Sequence, residues 1–370
     1  MQLESRSITG SKAVELYLTA IPGPAVGADG EAEQVFGAIV GEAARCGGRV
    51  CQLRAFVPEG RLEAYQRAWQ AAFGQGQAEC PCNWLQAGPS VPGGVQAHVI
   101  AAPVEWKPLR DRRGAQAGWL CSNGKTSWAI VGGLCLPRSA DDAASTQEAF
   151  EAAEALLAQA GMGLGDVART WFFLDDILGW YDRFNVGRSQ VFRRRGLLGP
   201  AQGGGVNVPA STGIGVSPAG GARLAMDLLA VRGEKGCVLR HPAAGKQRCA
   251  YEYGSAFARS AEAATLGGRT VYVSGTAAID VQGKSCFAGD AGSQIRMTLE
   301  NVLAVLSDMR CGAENVVQAM AYCKTPAVAA RFIESFQRTL SWPWVVVVGD
   351  VCRADLVFEA EVTACQPANG

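Results

Sequence analysis

Histidine is nearly missing from this chain. Two residues in 370, His98 and His241, argue against a His-based catalytic triad or a multi-histidine metal centre. Net charge is missing as well, because 34 Lys+Arg balance 34 Asp+Glu. No basic block interleaves with aromatics, so nucleic acid is not an expected partner. The short clusters Arg110-Asp111-Arg112-Arg113 and Arg193-Arg194-Arg195 read as solvated surface or helix ends. No apolar run approaches the roughly 20 residues that a membrane span needs. Residues 1–6 lack the charged and apolar regions of a signal peptide. A cytoplasmic protein without a membrane partner is expected. A phosphate-binding fingerprint is also lacking: Gly203-Gly204-Gly205 is not followed by a phosphate-loop spacing. No nucleotide cofactor is expected.

Cysteine is plentiful, but its pattern excludes more than it suggests. Thirteen is an odd number in a long chain, and reduced thiols packed as small hydrophobes fit it best. Cys80-Pro81-Cys82 is too tight and too isolated for a zinc site, which needs four ligands. No metal is expected.

What the chain does contain is a repeat of structural pattern. Residues 33–46 form an amphipathic helical stretch and 50–57 read as a strand. A second helix follows, with Leu62, Tyr65, Trp69 and Phe73 on one face. The order recurs as helix 147–160, strand 167–174 and a helix marked by Tyr181, Phe184, Arg188 and Phe192. It recurs again as helix 298–309, strand 316–323 and a helix with Val328, Phe332 and Phe336. Alternating strands at 95–102, 222–231 and 355–364 close the units, and apolar segments at 13–21, 128–136 and 271–279 precede them. The pattern is ββαβαββ-like, with linkers at 87–94, 196–205 and 232–246. An α+β chain of three units is therefore expected, with boundaries at 1–105, 106–235 and 236–370. Sheets covered on one face by helices must bury the other, so the units should pack around a central barrel. Two independent α/β domains are the alternative.

The third unit carries the chemistry. In 356–363 apolar residues alternate with Val357, Glu359, Glu361 and Thr363, so a half-buried strand projects two carboxylates from one face. A carboxyl group held in a partly apolar pocket can stay protonated near neutral pH and act as a general acid. At the matching place the second unit is read to carry Asp227, and the first His98 or a neighbour. The segment Val273-Ser274-Gly275-Thr276-Ala277 has small residues that leave room beside the backbone. Arg259, Lys324 and Arg353 could together hold a dicarboxylate.

Several of these elements resemble the RidA (YjgF/Endoribonuclease L-PSP) superfamily: Val271-Tyr272-Val273-Ser274-Gly275-Thr276, Gly289-Asp290, Gln294, Thr298-Leu299-Glu300-Asn301-Val302 and Glu359-x-Glu361. That superfamily forms homotrimers with sites between subunits. The resemblance implies three RidA/YjgF-like (chorismate-mutase-like) units packed as an internal pseudotrimer, the first degenerate and the last catalytic. The arginine with which RidA imine deaminases grip substrate has no counterpart in Trp342-Pro343-Trp344-Val345-Val346-Val347, so the resemblance does not extend to imine deamination.

A longer resemblance is to the chorismatases. It runs through Arg169-Thr170-Trp171, Val186-Gly187-Arg188-Ser189-Gln190, Thr212-Gly213-Ile214-Gly215, Tyr253-Gly254, Phe257-Ala258-Arg259, Gly275-Thr276-Ala277, Lys324 and Arg353-x-Asp355-Leu356-x-x-Glu359-x-Glu361. It implies cleavage of chorismate to pyruvate and a ring product, without a cofactor. Hydrolytic members carry alanine at two pocket positions. Members that form 3-hydroxybenzoate carry glycine and cysteine, and this chain has Gly275 and Cys352. The resemblance makes Glu359 the acid that protonates the enolpyruvyl methylene. Gly275 and Cys352 become its catalytic partners, with Arg259, Lys324, Tyr253, Arg353, Thr276 and Glu361 on the substrate. Alternatives are a bifunctional enzyme giving 3- and 4-hydroxybenzoate, a hydrolytic enzyme giving a dihydroxycyclohexadienoate, or a non-catalytic RidA-like binding protein. The chain is expected as a monomer or a homo-oligomer.

Overall fold

The structure is a computed structural model that describes residues 1–10, 12–23, 27–73, 80–137, 142–199, 205–234 and 236–367. Part of two expected linkers, 200–204 and 235, therefore lies outside the described residues.

Apart from the start of the last strand, the apolar stretches form the elements that their periods predict. In the first unit β1 (Gln2–Thr9) and β2 (Val14–Ile21) form a hairpin. They are followed by α1 (Ala28–Arg45), β3 (Arg49–Val57), α2 (Leu62–Phe73), β4 (Cys82–Gln86) and β5 (Gly94–Ala101). The second unit adds a strand and runs β6 (Glu105–Arg110), β7 (Gln116–Ser122), β8 (Ser127–Leu136), α3 (Asp142–Gln159), β9 (Val167–Leu174), α4 (Ile177–Arg194), β10 (Ala210–Ile214) and β11 (Leu224–Arg232). The third runs β12 (Val238–His241), β13 (Ser260–Ala264), β14 (Gly268–Ala277), α5 (Ala291–Asp308), β15 (Val316–Cys323), α6 (Pro326–Ser335), β16 (Trp344–Val348) and β17 (Phe358–Pro367).

Three sheets result, with strand orders β1-β2-β5-β3-β4, β10-β9-β11-β8-β7-β6 and β12-β13-β14-β17-β15-β16. All share a four-stranded core: β2-β5-β3-β4, β8-β11-β9-β10 and β14-β17-β15-β16. In each, two antiparallel pairings are followed by one parallel pairing. A register shift falls at the same place in all three, between Val50 and Gln52, Leu229 and Ala230, and Val316 and Gln318. The chain is an α+β internal pseudotrimer of RidA-like units.

The helices cover one face of each sheet over aromatic clusters. Phe36 meets Tyr65, Phe73 and Trp84; Phe172 meets Phe150 and Phe184; Phe332 meets Trp344 and Phe358. The opposite faces turn to a shared centre. Edge strands normally invite stray pairing, and here the β4, β10 and β16 edges are each taken up by another unit in a cycle. Gln86 N donates to Ser217 O, Gly215 N to Asp350 O, and Val348 N to Ala87 O, at 3.0, 2.7 and 2.8 Å.

Two expectations need correction. Residues 353–357 form turns, and β17 begins only at Phe358. That strand is also buried on both faces, because β14 and β15 flank it and a neighbouring sheet covers its polar side. The repeat alignment changes as well. Taking the shared register shift as reference, Asp227 and Gln96 fall at the position of Glu361, not Glu359. The counterparts of Glu359 are Ala225 and Gly94.

Phe172 is fully buried between Phe150 and Phe184, at centroid distances of 5.7 and 5.0 Å. Phe172→Ala should lower unfolding free energy by about 3–5 kcal/mol, read by urea denaturation.

Candidate active site

A cavity of about 590 Å³ opens where the second unit meets the third. One wall is helix α4 with Tyr181, Asn185 and Arg188; β10 adds Ser211 and Gly213. The third unit supplies Tyr253 and its following segment with Phe257 and Arg259, then Gly275 and Ala277 of β14, Cys352 and Arg353 of the 350–357 turns, and Glu359 of β17. The expectation that the third unit alone carries the chemistry is thus corrected: a unit boundary builds the site.

Glu359 is the first carboxylate of β17, opposite Ala277 on one side and Tyr322 on the other. It is 5% exposed and faces the cavity. Among the described residues no group hydrogen-bonds its carboxyl. Burial pushes its pKa up to about 8, the negative Glu361 pushes the same way, and Arg169 and Arg259 pull against them. Glu359 is therefore a carboxylic acid at neutral pH.

Gly275 makes room for that acid. A Cβ built at 275 would run into Glu359 Oε1 and stand 3.2 Å from Thr212 Cγ2. Cys352 is half-buried; burial and Glu359 together push its thiol up to about 12, so it is no thiolate nucleophile at pH 7. Tyr181, which lines the same cavity, is also pushed up to about 12, chiefly by burial.

Two buried guanidinium groups face the cavity. Arg259 is 2% exposed, donates from Nε to Arg248 O at 3.0 Å and from Nη2 to the Tyr253 hydroxyl, and is brought down to about 10 by burial. Arg188 is 1% exposed and packs over Phe184 and Phe257. It donates to Asn185 Oδ1 at 2.5 Å, and its Nε has no partner among the described residues. An unsatisfied buried guanidinium N–H is an anion site waiting for its acceptor. Arg353 donates to Gly283 O at 2.9 Å and lies over the Tyr253 ring.

Three residues expected on the substrate lie outside the lining. Lys324 donates to Ala354 O at 2.9 Å and stands 3.6 Å from Asp350 Oδ1, so it braces the turns that carry Cys352. Thr276 turns away and donates to Ser274 O at 2.9 Å. Glu361 is consumed by an ion pair with Arg169 at 2.6 Å and by donors from Trp171 and Tyr322. Arg188 and Tyr181 were not singled out from sequence as site residues. The signal existed for Arg188: an arginine on the apolar stripe of Tyr181, Phe184 and Phe192 is out of place unless it binds something.

The fold is that of a crystallised chorismatase, whose structure matches with a TM-score of 0.61 at 18% identity over 98% of each chain. Shorter matches include the yeast protein YEO7 and the protein YJGH, at 13% and 21% identity. Each covers 35% of this chain, and 98% and 96% of the respective partner, with TM-scores of 0.30 and 0.29. No curated protein matches significantly by sequence. Residues 255–364 match the family described as Endoribonuclease L-PSP, which defines the third unit as an L-PSP domain. Residues 108–230 match the family described as Chorismatase FkbO/Hyg5-like, N-terminal. The chain thus carries a segment matching the chorismatase N-terminal family ahead of one matching the Endoribonuclease L-PSP family, on a fold shared over the full length with a chorismatase. No helix among the described residues is long and apolar enough to cross a membrane.

The raised pKa of Glu359 has a sign that can be checked. The unfolded carboxyl releases its proton near 4.5, the folded one near 8. Its contribution to stability is therefore intact below pH 4.5 and lost as pH climbs from 4.5 through 8. Unfolding free energy measured across that window should fall more steeply for the wild type than for Glu359→Gln. Gly275→Ala should swing the Glu359 carboxyl off β14, visible in a crystal structure, and lower stability by about 1–3 kcal/mol.

Proposed function

We propose that the chain converts chorismate to 3-hydroxybenzoate and pyruvate, with Glu359 as the proton donor. What carries this reading is a neutral, unpartnered carboxylic acid in a cavity that also holds two buried arginines. Chorismate brings two carboxylates and an acid-labile enol ether. Arg188 and Arg259 offset its two charges, and Arg353 adds a third cation at the Tyr253 side. A neutral Glu359 adds no charge to repel the dianion.

Glu359 hands its proton to the enolpyruvyl methylene. The ether becomes an oxocarbenium ion, and its C–O bond can then break. A pKa near the working pH suits this task, because the acid is both present and willing to give its proton. The two outcomes differ in water. A dihydroxycyclohexadienoate plus pyruvate takes up one water; 3-hydroxybenzoate plus pyruvate has the atoms of chorismate and no more. For the phenol, the C4 hydroxyl oxygen bonds to C3 as pyruvate leaves and gives up its proton, which returns to Glu359. The C4–O bond then breaks, and loss of the C3 hydrogen with proton uptake on oxygen leaves the aromatic ring, so Glu359 ends as an acid.

Gly275 and Cys352 favour the phenol over the diol, as the pair that the resemblance associates with 3-hydroxybenzoate formation. Gly275 leaves the acid its place. Cys352 is a neutral thiol lining the cavity with Tyr181 and under the field of Glu359, so it acts by shape, not as a nucleophile.

Incubation with chorismate and chromatography of the ring products tests the assignment. Pyruvate with 3-hydroxybenzoate is expected. Pyruvate with the diol would make the enzyme hydrolytic, both hydroxybenzoates would make it bifunctional, and no pyruvate would leave a binding protein. Glu359→Gln should lower kcat by about a hundredfold or more while chorismate still binds. Cys352→Ala should shift product toward the diol. In the wild type, kcat/KM should be flat below pH 8 and fall above it as the free acid ionises.

A further inference from the structure

Arg169 lies in the middle of β9, fully buried, and does not line the cavity. Its Nη2 donates to Glu361 Oε2 and to Thr212 Oγ1, each at 2.6 Å. The Thr212 hydroxyl donates to the same Glu361 oxygen and accepts the Gly275 N–H at 3.0 Å. On Oε1, Glu361 receives Trp171 Nε1 at 3.1 Å and the Tyr322 hydroxyl at 3.2 Å, with Arg54 of the first unit 3.8 Å away. One carboxylate is thus gripped from all three units. Glu359 lies two residues earlier on the same face of β17. Gly275, whose N–H Thr212 holds, is the residue against which the Glu359 carboxyl rests.

We propose that Arg169 and Thr212 are positioning residues for the proton transfer. Acting through Glu361 and the Gly275 backbone, they fix the wall from which Glu359 meets substrate. The proposal rests on Glu359 being the proton donor. Charged and titratable groups reach Glu359 from every side: Glu361 on its own strand, Arg169 from β9, Arg259 from the segment before β13, Cys352 from the turns, Tyr181 from α4 and Tyr322 from β15. Glu361 opposes ionisation of Glu359, whereas Arg169 and Arg259 favour it. The clamp therefore sets two opposed charges, 2.6 Å apart, behind one acid. Removing either should move the acid, and in opposite directions.

The test is kcat/KM for chorismate against pH in four variants. Glu361→Gln deletes the repelling charge and frees Arg169, so the basic limb should drop by about one pH unit or more. Arg169→Gln leaves Glu361 unopposed, and the limb should rise. Arg169→Lys keeps the charge and should restore the limb to near the wild-type position. Thr212→Val is near-isosteric and uncharged; kcat should fall about tenfold with KM little changed, because the arginines that hold substrate are untouched. A residue that merely supports the fold would lower the amount of folded enzyme without moving the limb. Unmoved limbs in folded Glu361→Gln and Arg169→Gln overturn the proposal. If the charge variants do not fold, Thr212→Val decides: an unchanged kcat overturns it. Full activity in Glu359→Gln would instead remove the proton donor itself, a separate failure.

Discussion

The ion pair between Arg169 and Glu361 is the constraint around which the molecule is arranged. It joins two units at a place water does not reach. A buried pair of this kind stabilises little by itself, because desolvation offsets most of the attraction. Its consequence is specificity of docking: either partner alone would leave an uncompensated charge in the interior. The second sheet can therefore meet the third in one register only. That register brings α4 and its Arg188 over the end of β17, and so creates the cavity.

The same centre shows how one repeat became three different surfaces. At equivalent positions in the three sheets stand Gln96, Asp227 and Glu361. Asp227 accepts Asn83 and the Gly133 N–H at 2.8 Å each, is approached by Arg54, and is pushed up to about 6, mainly by burial. Gln96 bonds to the Ala319 carbonyl at 3.4 Å. Two residues earlier, only the third unit has an acid, where Ala225 and Gly94 stand in the others. Opposite Asp227 and Glu361 the partner strands β8 and β14 each bulge, at Gly132-Gly133 and Ser274-Gly275, and these bulges differ as well. Gly133 needs its positive φ of 70° to reach Asp227, whereas Gly275 needs only the absence of a side chain.

Periodicity made most of this fold legible. Strands β9 and β15 span the residues that their apolar pattern marks, and the helix–strand–helix order identified the repeat. The short edge strands β4 and β10, which pair with β3 and β9 of their own units, are not legible in the sequence because five residues carry too little pattern. Glu359 was legible as a carboxylate on an alternating strand, but that alternation suggested solvent on the polar face. Only assembly of three sheets buries it, and no local window of sequence contains that fact. Lys324 misled for the opposite reason: a cation near the site in sequence binds the backbone of the turns instead. Arg188 was legible as a helix residue, and its purpose required knowing what faced the helix.

The mixed axis has a consequence for symmetry. In an assembly of three identical chains, whatever stands at the axis stands there three times. Three copies of Glu361 would need three compensating cations in the same confined volume, and Arg54 and Arg169 could not both differ from their equivalents. Covalent linkage of the copies lifts that requirement. One axial acid can be kept, a second weakened and a third replaced by an amide, so a lone reactive junction becomes compatible with an interior that still balances its charge.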